Sequence, residues 1–127
     1  MTGARKDMTE SFTSRPSEAA AELTIVARVE KLIAEMLPRK PVSTATVAAR
    51  LGISAPTLYR RLKAEGASFA ELIDEVRRKL ALHYIVEEEM PPTEASWRLG
   101  FSEPSSFTRS FKRWTGASPS AYRQNRG

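Results

Sequence analysis

The sequence predicts an all-α chain in which two helix-turn-helix subdomains, about seven helices in all, are joined by a long connecting helix. The first observation behind this is an internal repeat. Thr46-Val-Ala-Ala-Arg-Leu-Gly-Ile-Ser-Ala-Pro56 returns 48 positions later as Glu94-Ala-Ser-Trp-Arg-Leu-Gly-Phe-Ser-Glu-Pro104. One residue is gained after the proline, so Leu58, Arg60, Leu62 and Lys63 recur 49 positions on as Phe107, Arg109, Phe111 and Lys112, and Gly66 and Ser68 return as Gly116 and Ser118. The second observation is apolar residues at helical spacing throughout. The third is punctuation: serines where helices begin, glycines and prolines where they end.

Residues 1–16 are polar and aperiodic, ending in Arg15-Pro16, and read as a flexible tail. Residues 17–67 form the first subdomain. Ser17 can cap a first helix with Ile25, Val29, Leu32, Ile33 and Met36 on one face, which Pro38 and Pro41 stop. Ser43 caps a short second helix in which Val47, Ala48 and Leu51 face inward, Gly52-Ile53-Ser54 is the turn, and Ser54 caps a third helix from about Ala55 to Glu65 that Gly66 ends. Residues 68–90 are the connection. Ser68 and Glu71 make a capping box ahead of the stripe Phe69, Leu72, Ile73, Val76, Leu80, Tyr84, and the helix is expected to run to about Glu88. Such a rod, roughly 30 Å long, approaches one turn of B-DNA. Each subdomain is expected to keep most of its own core, with the rod setting their spacing. Residues 91–127 are the second subdomain: a helix from near Thr93, a turn at Gly100-Phe101-Ser102, a helix from about Glu103 to Thr115, and a last short helix opened by Ser118-Pro119.

Composition narrows the chemistry. With 41% apolar residues in 127, the chain can bury a core. It has no Cys and one His, His83, so it offers no thiolate nucleophile, zinc cluster or His-based dyad, and neither a metal nor a cofactor is expected. Paired carboxylates and a phosphate-cradling glycine loop are also missing, and the reading is not an enzyme. No run of 18 apolar residues and no signal segment occurs, so a cytoplasmic protein without a membrane partner is expected. The net charge of +5 is segregated. Residues 39–63 carry six basic residues and 104–127 carry five, neither window holding an acid, which leaves −6 for the rest. Basic charge that coincides with the two repeats fits a polyanion surface better than a solvated basic exterior.

The reading faces follow from rotating 100° per residue. Leu58 and Leu62 point inward in the third helix, which turns Pro56, Tyr59, Arg60 and Lys63 outward. Phe107, Phe111 and Trp114 point inward in the sixth, which turns Ser105, Thr108, Arg109 and Lys112 outward. Arginine at the same place in both copies can bond bidentately to guanine, with hydroxyls as adaptable partners. Lys63, Lys112, Arg113 and Arg123 are placed for phosphates. Trp97, Phe101, Phe107, Phe111 and Trp114 are expected in the core, and Glu87-Glu88-Glu89 at the solvated end of the connection.

The segment from Thr93 to Arg123 closely resembles the signature of the AraC/XylS family of bacterial transcription regulators. Gly100-Phe101, Phe107, Phe111-Lys112, Gly116, Pro119 and Tyr122-Arg123 sit where that signature places them, and Gly66-Ala-Ser-Phe69 and Arg77 also fit. The resemblance covers about residues 20 to 125. It implies seven helices, the third and sixth entering successive major grooves of double-stranded DNA, with base-reading positions on Pro56, Tyr59 and Arg60 and on Ser105, Thr108 and Arg109. The chain departs from the family at Ala95-Ser96, where a larger β-branched residue followed by Ala is usual. Pro56 also replaces a potential base-contacting side chain.

The resemblance further implies a separate sensing and dimerisation domain, expected upstream and missing from this chain, with a short stand-alone member as the alternative, and RNA polymerase is kept as a candidate partner. The expected function is a sequence-specific DNA-binding transcription regulator. The alternative is a basic helical adaptor for an acidic protein.

Overall fold

The structure is a computed structural model and describes residues 24–39 and 41–126. Among these it holds seven α-helices and no strand: α1 (Ile25–Met36), α2 (Thr44–Leu51), α3 (Ala55–Ala64), α4 (Phe69–Leu82), α5 (Pro92–Arg98), α6 (Pro104–Thr115) and α7 (Pro119–Arg126). Helix starts in the first half are hydroxyl-capped. Thr24 Oγ1 accepts from the Ala27 N–H at 3.0 Å, Ser54 Oγ accepts from Thr57, and Ser43 with Thr46 and Ser68 with Glu71 form reciprocal capping boxes. Ser17, the expected first cap, lies outside the described residues. Among those described, Thr24 caps α1, and the Glu65 carboxylate at the end of α3 adds an anion against its Ile25 and Val26 amides. In the second half, α5 and α6 instead start at prolines with no side-chain cap. Proline there gives up an N–H that had no helical partner.

The turn between the two helices of each unit needs left-handed backbone, and glycine supplies it: Gly52 at φ +75° and Gly100 at φ +81°. They occupy equivalent places in the repeat, and each lets the helix that follows cross the one before it.

The described residues form two apolar cores. The first gathers Val29, Ile33, Val47, Leu58, Leu62, Leu72 and Val76, and the second Ala81, Tyr84, Ile85, Leu99, Phe107 and Phe111. Leu80 packs against both. Thus each unit has its own apolar cluster and α4 contributes to both, Leu72 and Val76 to the first and Ala81 to the second. The expectation of an α-helical rod to about Glu88 is corrected at its end. From His83 to Glu87 it widens into a π-helical segment, with the Glu88 N–H bonded to the His83 carbonyl at 3.0 Å. Tyr84 and Ile85 are both buried within this segment. The α part of 14 residues accounts for about 21 Å.

Trp97 is the second correction. It is 53% exposed, whereas Ala95, Ser96 and Leu99 of the same stretch are fully buried. Ala95 and Leu99 lie one turn apart on the inward face, and Trp97, two residues from each, falls about 200° round the helix. Spacing relative to the other aromatics was the misleading signal.

Candidate nucleic-acid interface

The two candidate reading helices are α3 and α6, each the second helix of its unit. In α3, Leu58 and Leu62 are buried, and Pro56, Tyr59, Arg60 and Lys63 are exposed. In α6, Phe107 and Phe111 are fully buried, Ser105, Arg109 and Lys112 are exposed, and Thr108 is half-buried. All six expected base-reading positions therefore lie on outward or partly outward faces of helices that contain no acid. Tyr59 is 59% exposed, with the Lys63 ammonium 5.8 Å from its ring centroid. Among the described residues, Arg60, Lys63, Arg109 and Lys112 form no ion pair. They are cations available to a polyanion.

A repeat inside the repeat accompanies the arginines. Arg60 Nη2 donates to Thr57 Oγ1 at 3.2 Å, and Arg109 Nη2 donates to Ser106 Oγ at 3.2 Å. Each hydroxyl sits three residues before its arginine, on the same helix face, and steadies the guanidinium before any ligand arrives. Thr57 and Ser106 were not among the expected site residues. The signal was present: they are 49 positions apart, the same offset as the arginines they touch.

Two of the four expected phosphate contacts are engaged within the protein. Arg123 is half-buried and donates from Nε to the Ile85 carbonyl at 2.9 Å and from Nη2 to the Met90 carbonyl, which ties α7 to the end of the π-helical segment. Arg113 is held by both Asp74 oxygens, at 2.9 and 3.3 Å, and Asp74 also accepts from Trp114 Nε1 at 3.1 Å. The hydrogen-bonded Arg113 holds the Asp74 carboxyl below the usual carboxylate range, despite opposition from burial. Lys63 and Lys112 remain as exposed cations beside the reading faces. Sequence spacing could not separate these two pairs, because the partners of Arg113 and Arg123 lie more than 30 residues away.

The described residues hold no group of three or more His, Asp or Glu placed to bind a metal ion, and none of their helices is long and apolar enough to cross a membrane.

Comparison with known proteins places this geometry. The model of the AraC-type helix-turn-helix domain matches residues 47–125. The ornithine utilization regulator of Pseudomonas aeruginosa is 39% identical over 77 residues, 61% of this chain and 23% of its own length. The regulator VirS of Mycobacterium tuberculosis is 36% identical over 108 residues, 85% of this chain and 31% of its own. This chain thus spans less than a third of these curated relatives. Among solved structures, the DNA-binding domain of the global transcriptional factor AdpA, in complex with a target DNA, is 28% identical and superposes with a TM-score of 0.67, covering 81% of this chain and 93% of that one.

Proposed function

As the chain belongs to the AraC/XylS family of regulators, we propose that it is a sequence-specific, double-stranded DNA-binding module of a transcription regulator that reads two successive major grooves with α3 and α6. One observation carries the reading most directly. In both units an arginine steadied by a hydroxyl one turn earlier stands on the exposed, acid-free face of the second helix. Guanidinium is the group that pairs bidentately with guanine O6 and N7. Pro56, Tyr59 and Arg60 read one block, Ser105, Thr108 and Arg109 read the other, and Lys63 and Lys112 contact phosphates. The relatives devote more than two-thirds of their length to residues outside this match, which supports a sensing and dimerisation domain working with this module. RNA polymerase is the proposed downstream partner, and the cytoplasm the proposed location.

Selection from a random duplex pool tests the reading. The expected product is an asymmetric site with two blocks about 10 base pairs apart, because the two reading helices differ in sequence. Arg60→Ala and Arg109→Ala should each relax preference at one block, costing about 1–3 kcal/mol, while Lys112→Ala should weaken all duplexes about equally. Equal losses on selected and scrambled duplexes for Arg109→Ala would remove it from the base readers. Weak, sequence-indifferent binding by the parent chain would favour the adaptor.

A further inference from the structure

The connecting helix grips the second unit through two polar side chains one turn apart. Arg77 Nε donates to the Leu99 carbonyl at 2.8 Å and Nη2 to the Gly100 carbonyl at 3.2 Å, and its guanidinium lies 4.4 Å from the Phe101 ring centroid. Those carbonyls are the C-terminal end of α5 and the turn itself, where a cation also meets the helix dipole favourably. Asp74 takes Arg113 and Trp114, in the last turn of α6. One face of α4 thus holds both helices of the second reading unit. A third contact comes from the first subdomain: a Cβ on Gly100 would stand 3.2 Å from Leu37 Cδ2 and 3.3 Å from Arg77 Nη2, so the end of α1 presses on the same turn. Contacts on α5, on the turn and on α6 fix rotation as well as distance, which a single contact would leave free.

The first unit has no copy of this arrangement. At the 49-residue offset Arg113 and Trp114 correspond to Ala64 and Glu65, and Glu65 turns to the α1 amides instead.

We propose that Asp74 and Arg77 are positioning residues that lock the rotation of the second reading helix against the first, so that the protein accepts one spacing between the two DNA blocks. This rests on the two-block reading above. Changing the spacer by one base pair turns one block by about 35° and moves it about 3.4 Å, and a locked pair of heads cannot follow without deforming DNA or protein.

The test has two arms. The parent chain, Asp74→Ala and Arg77→Met are bound to the selected duplex and to versions with the spacer one base pair shorter or longer. The parent should lose about tenfold or more at either altered spacing, and the variants should hold all three within about threefold. In the second arm, nitroxide labels on Ala64→Cys and Ser120→Cys, both exposed positions in a chain without native cysteine, report the distance between the units in the absence of DNA. One narrow distance peak is expected for the parent and a broadened one for each variant. Asp74 is partly exposed and its removal leaves both apolar cores intact, so Asp74→Ala carries the test if Arg77→Met does not fold. A peak as narrow as the parent's in the folded variants, or an undiminished spacing preference, overturns the lock. Failure of the parent to select a two-block site would overturn the DNA reading instead, and the distances would still decide the lock.

Discussion

The two units share a backbone plan and differ in how they are held. The first is capped by hydroxyls at every helix start and packed with aliphatic residues, Val47, Leu58 and Leu62 against Val29, Ile33, Leu72 and Val76. The second starts α5 and α6 with proline, fills its core with rings and is tied down by polar hooks. Phe107 and Phe111 meet edge-on at 5.8 Å, Phe111 and Tyr122 at 5.5 Å, and Asp74, Arg77 and Arg123 bind the surrounding helices. A helix-turn-helix therefore needs its glycine turn and two buried positions per reading helix. Capping and ring packing are alternative ways to hold that geometry.

The largest expected effect comes from breaking the shared wall. Inserting one Ala between Lys79 and Leu80 would turn everything after it by about 100° and advance it about 1.5 Å. Asp74 and Arg77 lie before the insertion and Ala81, Tyr84 and Ile85 after it, and all five serve the second unit. Both tryptophans, Trp97 and Trp114, also lie in that unit, so tryptophan fluorescence reports it alone while circular dichroism reports both. The expected outcome is loss of the cooperative fluorescence transition together with part of the first unit's helicity, because Leu80, just after the insertion, packs against both cores. A parental fluorescence transition would mean that α4 is only a spacer.

Single core truncations sharpen the comparison further. Phe107→Ala should cost about 3–5 kcal/mol and Leu58→Ala about 2–5 kcal/mol, since both side chains are fully buried. Because α4 lines both cores, fluorescence and dichroism midpoints in urea should move together in either variant. Separated midpoints for Leu58→Ala would show units that fold independently.

The smallest effect has the opposite sign. Ser96 Oγ is buried with no hydrogen-bond partner, and the matching position of the first unit is the fully packed Ala48. Ser96→Ala should raise stability by about 1 kcal/mol, because it removes an unsatisfied hydroxyl at almost no loss of volume. A destabilised variant in urea titration would show that the hydroxyl finds a partner in solution.

Much of this molecule was legible in the chain. The order of the helices, their turns and the outward faces of α3 and α6 are read from caps, breakers and apolar spacing over a few residues, and the two-unit plan from a repeat 48 to 49 positions apart. Ala95-Ser96 stood out as a departure, and the unsatisfied Ser96 hydroxyl is its structural consequence. The errors have a common origin. Trp97 shares a helical spacing with the other aromatics, but its own helix turns it out. The single apolar stripe of the connection does not disclose that one end of it faces one core and the other end another.

The sequence by itself determined the local structure and the outward faces of α3 and α6, because helix periodicity, caps and left-handed glycines act over a few residues and leave a pattern at fixed spacing. Tertiary structure alone decided which basic side chains are tied to distant parts of the chain. Arg60, Lys63, Arg109 and Lys112 stay exposed without ion pairs among the described residues, while Arg77, Arg113 and Arg123 are bound to Leu99, Asp74 and Ile85, 22 to 39 positions away. An arginine carries the same charge and the same donors in either role. What makes one a strut is the carboxylate or carbonyl that the fold brings within hydrogen-bonding distance.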